Sequence, residues 1–388
     1  MKPGSFTYLS QENIIWGRPA GAAVVDEANR LGARRVFIVS SKTLSRRTPV
    51  VGDIQRALGP RFAGLFDDTY AHTPRPAVVA GAEAVRAARA DLIVTVGGGS
   101  PIDTVKVMLI CLAEDIRDVD SLDKWHVRVG PDGKRVFPEI KSPPLRQIAV
   151  GTTLSGAEYS NLGGCTDPKR KVKDAFVAKE IGPLSVILDP SITLHTPMWL
   201  WLSTGIRAVD HAAEGLESPD SHPYTDALQA EGLRLLARSL PRTKADPADL
   251  DARLESMVAV WLAGCGINRI NYGASHGIGH ALGGAADVPH GYTSCVMLPA
   301  VLRYNNAVTA ERQKRIVAAF DRPGVAAADC VADLVKALGL PSTLREVGLK
   351  REQFDAVAKA AMQNLWVRTN PRPIPDTDAV KAILETVW

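Results

Sequence analysis

The first half of the chain alternates short runs of consecutive apolar residues with longer stretches in which apolar residues recur at helical spacing. The runs RVFIVS at 35–40 and DLIVTV at 91–96 are typical of strands buried on both faces of a parallel sheet. Because such strands alternate with helices, this half is predicted to be an α/β domain with a mostly parallel sheet. Further strands are predicted at 147–150 and 184–188, and helices at 20–32, at 77–90 and from Pro101 onward.

The second half is rich in Leu, Ala, Glu and Arg and has few strand-like runs, so it is predicted to be helical. We interpret Thr193–Pro197 as an interdomain connection, which gives an α/β domain at 1–194 and an all-α domain at 195–388. The polar, Pro- and Gly-containing residues 115–145 predict an extended loop or hairpin. Helices are predicted at 199–217, 224–240, 249–265, 274–284, 293–305, 309–320, 326–338, 351–364 and 376–387.

Composition narrows the class of protein. The net charge is +4, and the longest basic cluster, Lys169–Lys171 with Lys173, is flanked by acids, which argues against nucleic acid and membrane surfaces as partners. No apolar stretch approaches the roughly 20 residues of a membrane span, and no secretory signal is recognisable. The five cysteines are scattered and never form a CxxC pair, which is typical of reduced thiols. We therefore expect a cytoplasmic protein.

The strongest single motif is the segment Gly97-Gly98-Gly99-Ser100-Pro101-Ile102-Asp103, which follows a predicted strand and opens a predicted helix. Glycines let a ligand approach the backbone closely, and the N–H groups at a helix start attract phosphate oxygens. The alternative is a glycine turn without a ligand. The segment is not a GxGxxG fingerprint, so an ordinary Rossmann domain is not implied.

Two weaker patterns follow. The loop Gly151–Glu158 places small hydroxyl residues after a strand, where they can bind phosphate or ribose, although a plain loop fits equally well. His276 and His280 lie four residues apart on one face of a predicted helix, and His290 follows in a predicted turn. With His211 upstream, these imidazoles can converge on one metal ion or one substrate carbonyl, or each can be an ordinary structural histidine.

Taken together, the motifs resemble the iron-containing alcohol dehydrogenase superfamily, which includes maleylacetate reductases and glycerol dehydrogenases. The resemblance implies a dehydroquinate synthase-like fold, with a dinucleotide-binding domain, a helical domain and an active site in the cleft between them. It covers nearly the whole chain, through GGGSPIDTVK at 97–106, TTLSGAE at 152–158, ILDPSITLHTP at 187–197, STGIRAVDHAAEGLES at 203–218, HGIGHALGG at 276–284, VPHG at 288–291 and TNPRP at 369–373.

The resemblance assigns roles to individual residues. The glycine turn would hold the pyrophosphate of NAD or NADP, with Asp103 near the cofactor and the 152–154 segment near the nicotinamide. His280 would be an active-site histidine close to the nicotinamide, and His211, His276 and His290 match three of the family's four ligands for Fe or Zn. The implied cofactor-binding residues are Gly97, Gly98, Gly99, Ser100, Asp103, Thr152, Thr153 and Leu154.

The fourth metal ligand is replaced. Metal-binding members carry an Asp four residues before the first ligand histidine, and here that position is Arg207. A guanidinium cannot ligate a cation, and at about 4 Å two unit charges in a dielectric near 20 repel by on the order of 4 kcal/mol. The pattern therefore argues against a metal and favours the maleylacetate reductase-like branch. Arg207 would then bind a substrate carboxylate, or else form a salt bridge with Asp210 or Glu214.

Cofactor choice stays open at this level. The acid that usually holds the 2′-hydroxyl of NAD is missing after residues 36–39, where Ser41 and Lys42 follow. Lys42, Arg46 and Arg47 could pair with a 2′-phosphate, which slightly favours NADPH or dual use.

The sequence thus predicts an NAD(P)H-dependent oxidoreductase that acts on a small carbonyl compound with or without a carboxylate. His280 or His276 would supply the proton, and Arg207 would orient the substrate. Two alternatives remain. One is a metal-dependent alcohol dehydrogenase that uses His211, His276 and His290, and the other is a non-catalytic binding protein that kept the fold. The resemblance also implies a homodimer.

Overall fold

A computed structural model describes residues 4–130, 135–170, 172–286 and 288–388. The chain forms two compact units, Thr7–His195 and a second one that contains Thr196–Trp388 and the amino-terminal residues up to Phe6. Phe6 joins the second unit through its ring contacts with His222 and Tyr224.

The first unit is built on a six-stranded parallel sheet of order β1-β10-β7-β4-β2-β3. Two antiparallel pairs, β5–β6 and β8–β9, lie outside it. The strands are β1 Asn13–Trp16, β2 Val36–Val39, β3 Phe62–Phe66, β4 Leu92–Gly97, β5 Arg128–Val129, β6 Arg135–Val136, β7 Arg146–Gly151, β8 Leu162–Asp167, β9 Val172–Val177 and β10 Ser185–Leu188. The helices are α1 Ala20–Arg30, α2 Lys42–Arg47, α3 Val50–Leu58, α4 Arg75–Ala87 and α5 Gly99–Ala113.

The central strands are fully buried because helices cover both faces of the sheet. Phe37 and Ile93 point into a core with residues of α4 and α5, whereas Ile38 and Val94 point into a second core with residues of α1 and α3. This alternation explains why β2 and β4 are continuous apolar runs in the sequence.

The second unit contains only helices among its described regular elements. They pack around an apolar core that includes Ile278, Val296 and Val380. The α-helices are α6 Met198–Glu217, α7 Pro223–Ala245, α8 Leu250–Ala263, α9 Ala274–Ala286, α10 His290–Ala319, α11 Ala327–Ala337, α12 Phe354–Gln363, α13 Leu365–Arg368 and α14 Thr377–Glu385.

The predicted fold class, a parallel α/β domain followed by a helical domain, is confirmed. Two predictions in the second half were wrong. The helices predicted at 293–305 and 309–320 are the single helix α10, which continues through residues 306–308. These three residues are exposed, so the apolar pattern that indicates a helix is interrupted there. His290 is the first residue of α10 and does not lie in a turn.

Four strands were not predicted from the sequence: β1, β3, β8 and β9. The outer strands β1 and β3 are half-buried, and their apolar runs are short or interrupted. Asn13 opens the four-residue β1, and Gly64 lies in the middle of β3. None of the described helices is long and apolar enough to cross a bilayer.

Candidate active site

The glycine motif lies where strand β4 meets helix α5, as predicted. Gly97 ends β4 at φ +154°, a conformation that side chains rarely adopt, and Gly99 opens α5. A Cβ on Gly98 would lie 2.8 Å from both Cγ2 and Oγ1 of Thr153. No side chain caps the start of α5, so its first amides are available to an anion. The turn is therefore a cradle that fits a pyrophosphate.

The loop after β7 packs directly against this turn. The amide of Thr152 donates to the carbonyl of Gly97 over 3.0 Å, and Leu154 is fully buried beneath the loop. Asp103 has a supporting position, because its carboxylate accepts from Lys106 Nζ at 3.1 Å and from the Gly164 amide at 3.2 Å. The turn and the loop thus form one backbone-lined surface.

Two of the three basic residues considered for a 2′-phosphate, Lys42 and Arg46, already have acidic partners. Lys42 forms an ion pair with Asp68, and Arg46 Nε lies 2.9 Å from Asp67. The Ser41 hydroxyl caps helix α2 by accepting from the Leu44 amide. Sequence reasoning searched for an acid only after β2, whereas the parallel neighbour β3 supplies two at the same edge of the sheet.

In the second unit, helix α6 carries a stripe of ionisable residues at intervals of three and four: Arg207, Asp210 and Glu214. The hub is Asp210, which is fully buried and accepts from the hydroxyls of Ser294 at 2.6 Å and Ser275 at 3.0 Å. Burial would raise the pKa of Asp210, but the charges of His276 and Arg207 and the Ser294 hydroxyl hold it below 3.8.

Glu214 and His276 form a buried carboxylate–imidazole pair. His276 Nδ1 lies 2.8 Å from Glu214 Oε2 and 3.4 Å from Asp210 Oδ2, and the ring stacks on Tyr272. Burial and the charge of Arg207 lower the pKa of His276, but Asp210 and Glu214 outweigh both, so this pKa lies above 6.5. Its Nε2 is buried and has no hydrogen-bond partner among the described residues. A proton on Nε2 would therefore have no acceptor among the described residues.

His211 lies beside this pair, with its ring centroid 4.9 Å from that of His276. Burial, together with the charges of His276 and Arg207, lowers the pKa of His211 well below 6.5. The two buried histidines are thus in different states: His276 is poised to be charged and His211 is neutral.

His280 and His290 are only half-buried, and their ring centroids are 5.8 Å apart. Arg207 links His280 to the buried Asp210. Its Nη2 lies 3.4 Å from His280 Nε2, and its Nη1 lies 3.5 Å from Asp210 and donates to Ser294 at 3.1 Å. We call Arg207, Asp210, Glu214 and the four histidines 211, 276, 280 and 290 the imidazole cluster.

The positive charge of Arg207 opposes the binding of a divalent cation at the cluster. Among the described residues, the one set of three potential ligands whose ligand atoms all lie within 4.8 Å of one another is Asp210, Glu214 and His276, and the predicted trio of histidines is not such a set. One carboxylate oxygen of Asp210 and both of Glu214 already accept hydrogen bonds. The Arg207 guanidinium adds a fixed positive charge 3.5 Å from Asp210.

Sequence reasoning named the histidines and Arg207 but missed their supports. Glu214 was considered only as a salt-bridge partner of Arg207, yet it binds His276, and Tyr272 and Trp366 pack on the histidine rings. The one available signal was the stripe of ionisable residues on an otherwise apolar helix, which predicts a buried polar function.

The comparisons with known proteins cover both units of the chain. Residues 11–190 match the family described as iron-containing alcohol dehydrogenase, and residues 201–388 match the C-terminal part of the Fe-containing alcohol dehydrogenase family. The chain therefore belongs to the iron-containing alcohol dehydrogenase family, and the predicted NAD(P)-dependent oxidoreductase is confirmed at that level.

Its relatives include maleylacetate reductases. The chain is 31% identical over 389 residues to maleylacetate reductase 1 of Cupriavidus pinatubonensis, covering 99% of this chain and 97% of the relative. It is 34% identical over 375 residues to dehydrogenase ALT3 of Alternaria alternata, covering 88% and 95%. The crystal structure of maleylacetate reductase from Rhizobium sp. superposes with a TM-score of 0.84 at 29% identity, covering 100% of this chain and 99% of that one.

Proposed function

We propose that this protein is an NAD(P)H-dependent reductase of a small carbonyl compound that carries a carboxylate, as maleylacetate does. The observation that carries the proposal is the position of Arg207. Its guanidinium is 12% exposed and donates one N–H from each terminal nitrogen, to Ser294 and towards His280. A guanidinium has five N–H donors in a planar fork, which suits a carboxylate.

The residues of the second unit support proton transfer to a carbonyl oxygen. An NAD(P)H cofactor whose pyrophosphate is held by the glycine turn would supply, from its nicotinamide, the hydride that reduces the carbonyl carbon. The imidazolium of His276, anchored at Nδ1 by Glu214, gives the proton on Nε2 to the oxygen that becomes negative. Arg207 and His276 both place positive charge where the oxygen develops negative charge. His280, which is more exposed and contacts Arg207, lines the approach of the substrate.

For cofactor choice we propose a preference for NADH. Asp67 and Asp68 already neutralise Arg46 and Lys42, so these two cations contribute no net positive charge that would attract a 2′-phosphate. The small-molecule substrate and the homodimer implied by the family are part of the same proposal.

The test is a screen of oxo-acids and uncharged aldehydes with NADH and NADPH, with and without EDTA. Arg207→Met should lower kcat/KM for oxo-acids by about 10²-fold and for uncharged aldehydes by only a few-fold, because a hydrogen bond to a charged group contributes about 1.5–3 kcal/mol. Arg312→Met, at a second partly exposed arginine of this unit, is the control and should leave the ratio unchanged. An equal loss on both substrate classes contradicts carboxylate binding, and loss of activity in EDTA supports a metal-dependent alcohol dehydrogenase.

A further inference from the structure

The first turn of helix α9, which carries His276, is held by side chains from two distant parts of the chain. Glu214 of α6 accepts from the amides of Gly273 at 3.0 Å, Ser275 at 2.7 Å and His276 at 3.3 Å. The remaining amide, that of Ala274, donates to Asn370 Oδ1 at 3.0 Å. Every orphan N–H of this helix start is thereby satisfied.

The orientation of the Asn370 amide is fixed by groups that can act in only one sense. The Ala274 N–H can only donate, so Oδ1 faces it, and the carbonyl of Arg372 can only accept, so Nδ2 faces it at 2.7 Å. The same Nδ2 donates to Asn305 Oδ1 at 2.6 Å, and Asn305 Nδ2 then donates to Glu217 Oε2 at 3.1 Å. This chain of hydrogen bonds ends on the carboxyl group of Glu217, whose oxygens accept from Asn305 and Gln313.

Glu217 meets donors on its other oxygen as well. Gln313 Nε2 donates to Oε1 at 2.7 Å and to the carbonyl of Leu302 at 2.7 Å, so this amide too cannot turn over freely. Glu217, Asn305 and Asn370 are all buried, with at most 5% of any of them exposed. Inside a protein, such a network is costly to break at any one link.

We propose that Asn370 is a positioning residue for His276, and that Asn305 and Glu217 hold its amide in the orientation that receives the first turn of α9. This inference rests on the proposed role of His276 as the proton donor. Asn370 and Glu214 pack closely against the residue that precedes α9, since a Cβ on Gly273 would lie 2.7 Å from Asn370 Oδ1 and 2.9 Å from Glu214 Oε1. A shift of this turn therefore changes the distance between His276 Nδ1 and Glu214.

The experiment reverses the polarity of the network. Asn370→Asp keeps the acceptor for Ala274 but sets a carboxylate oxygen against the carbonyl oxygens of Asn305 and Arg372. Glu217→Gln sets an N–H against the donors of Asn305 or Gln313. In the double variant Asn305 can turn its amide over, donate to the new carboxylate and accept from the new amide. Asn306→Asp, at an exposed neighbour on the same helix, is the matched control.

Two readouts are taken on folded protein, with thermal unfolding measured in parallel. The first is the downfield Nδ1–H proton signal of His276, assigned by its loss in His276→Gln, which needs no substrate. The second is the separation of kcat from KM with the oxo-acid found in the screen. We expect each single variant to shift the signal and lower kcat about 10-fold with the cofactor KM within about two-fold, and the double variant to recover to within about three-fold.

Three results overturn the inference: single variants that leave the His276 signal in place, losses that multiply in the double variant, or an equal loss with Asn306→Asp. An unaltered enzyme that reduces no carbonyl compound defeats the proposed function instead, and the His276 signal still decides whether Asn370 sets the position of this ring.

Discussion

The glycine turn of the first unit and the imidazole cluster of the second are built from different materials. The turn consists of backbone and small residues from two neighbouring segments, Gly97–Gly99 and Thr152–Leu154. The imidazole cluster consists of long ionisable side chains that arrive from α6, α9 and α10 and hold one another by charge. We therefore expect the glycine turn to be more sensitive to added volume, and the imidazole cluster to be more sensitive to a change of charge.

The largest effect should follow from Glu214→Gln, which keeps the volume and removes the charge. One amide oxygen then replaces two carboxylate oxygens that accept from three backbone amides and from His276. We expect kcat to fall by about 10²–10³-fold, because the proton donor loses its anchor and its source of raised pKa. Steady-state kinetics measures this change, and Glu231→Gln, at an exposed ion pair with Arg234, is the control. A loss of less than about three-fold would show that charge does not organise the cluster.

The glycine turn can be predicted from the sequence more completely than the imidazole cluster, because its residues are contiguous in the chain. The turn is contiguous, so GGGSP between a strand and a helix identifies it directly. The imidazole cluster joins residues from 207 to 290, and its supports reach Asn370, so no spacing rule brings Glu214 to His276. The spacing of Arg207, Asp210 and Glu214 shows which face of α6 carries buried charges. The partner of each charge depends on how the helices pack, which the sequence does not show.

The fold shows the same limit. Central strands such as β4 are apolar on both faces and were predicted, whereas the edge strands β1 and β3 and the pair β8–β9 are only partly buried and were not. The acids that pair with Lys42 and Arg46 were missed because parallel pairing, which the sequence does not show, places the end of β3 beside that of β2.

An intermediate effect should follow from Gly98→Ala, which changes volume and leaves charge alone. The added Cβ would lie 2.8 Å from Thr153, a short branched side chain that cannot swing away, so the turn and the loop must separate. We expect the cofactor KM to rise about 10-fold with kcat changed less, as cofactor titrations would show. Gly52→Ala in α3, where the added Cβ would meet only the end of Arg56 at 3.4 Å, is the control. An equal rise of the cofactor KM in Gly98→Ala and Gly52→Ala would show that the contact between residue 98 and Thr153 is not the cause.

The smallest effect concerns a buried carboxyl group near the glycine turn, and it tests whether the stability of the first unit depends on the charge of that group. Glu158, in the loop after β7, is 2% exposed, and its Oε2 has no hydrogen-bond partner among the described residues. Burial raises the pKa of Glu158 to about 7 from an ordinary 4.5. The folded state therefore binds this proton more tightly than the unfolded state. The stabilisation is fully present below pH 4.5 and is lost as pH rises through about 7.

Glu158→Gln removes this pH dependence and keeps the shape of the side chain. One pKa unit corresponds to about 1.4 kcal/mol, so full burial sets an upper bound of about 3 kcal/mol, and we expect about 2 kcal/mol after relaxation. Urea unfolding of both proteins should show the variant gaining stability relative to the parent between pH 5 and pH 8. Glu217, whose pKa is also raised to about 7, is present in both proteins and cancels. A difference that stays constant with pH would mean that Glu158 has the same pKa in the folded and unfolded states, so that burial does not perturb this carboxyl group.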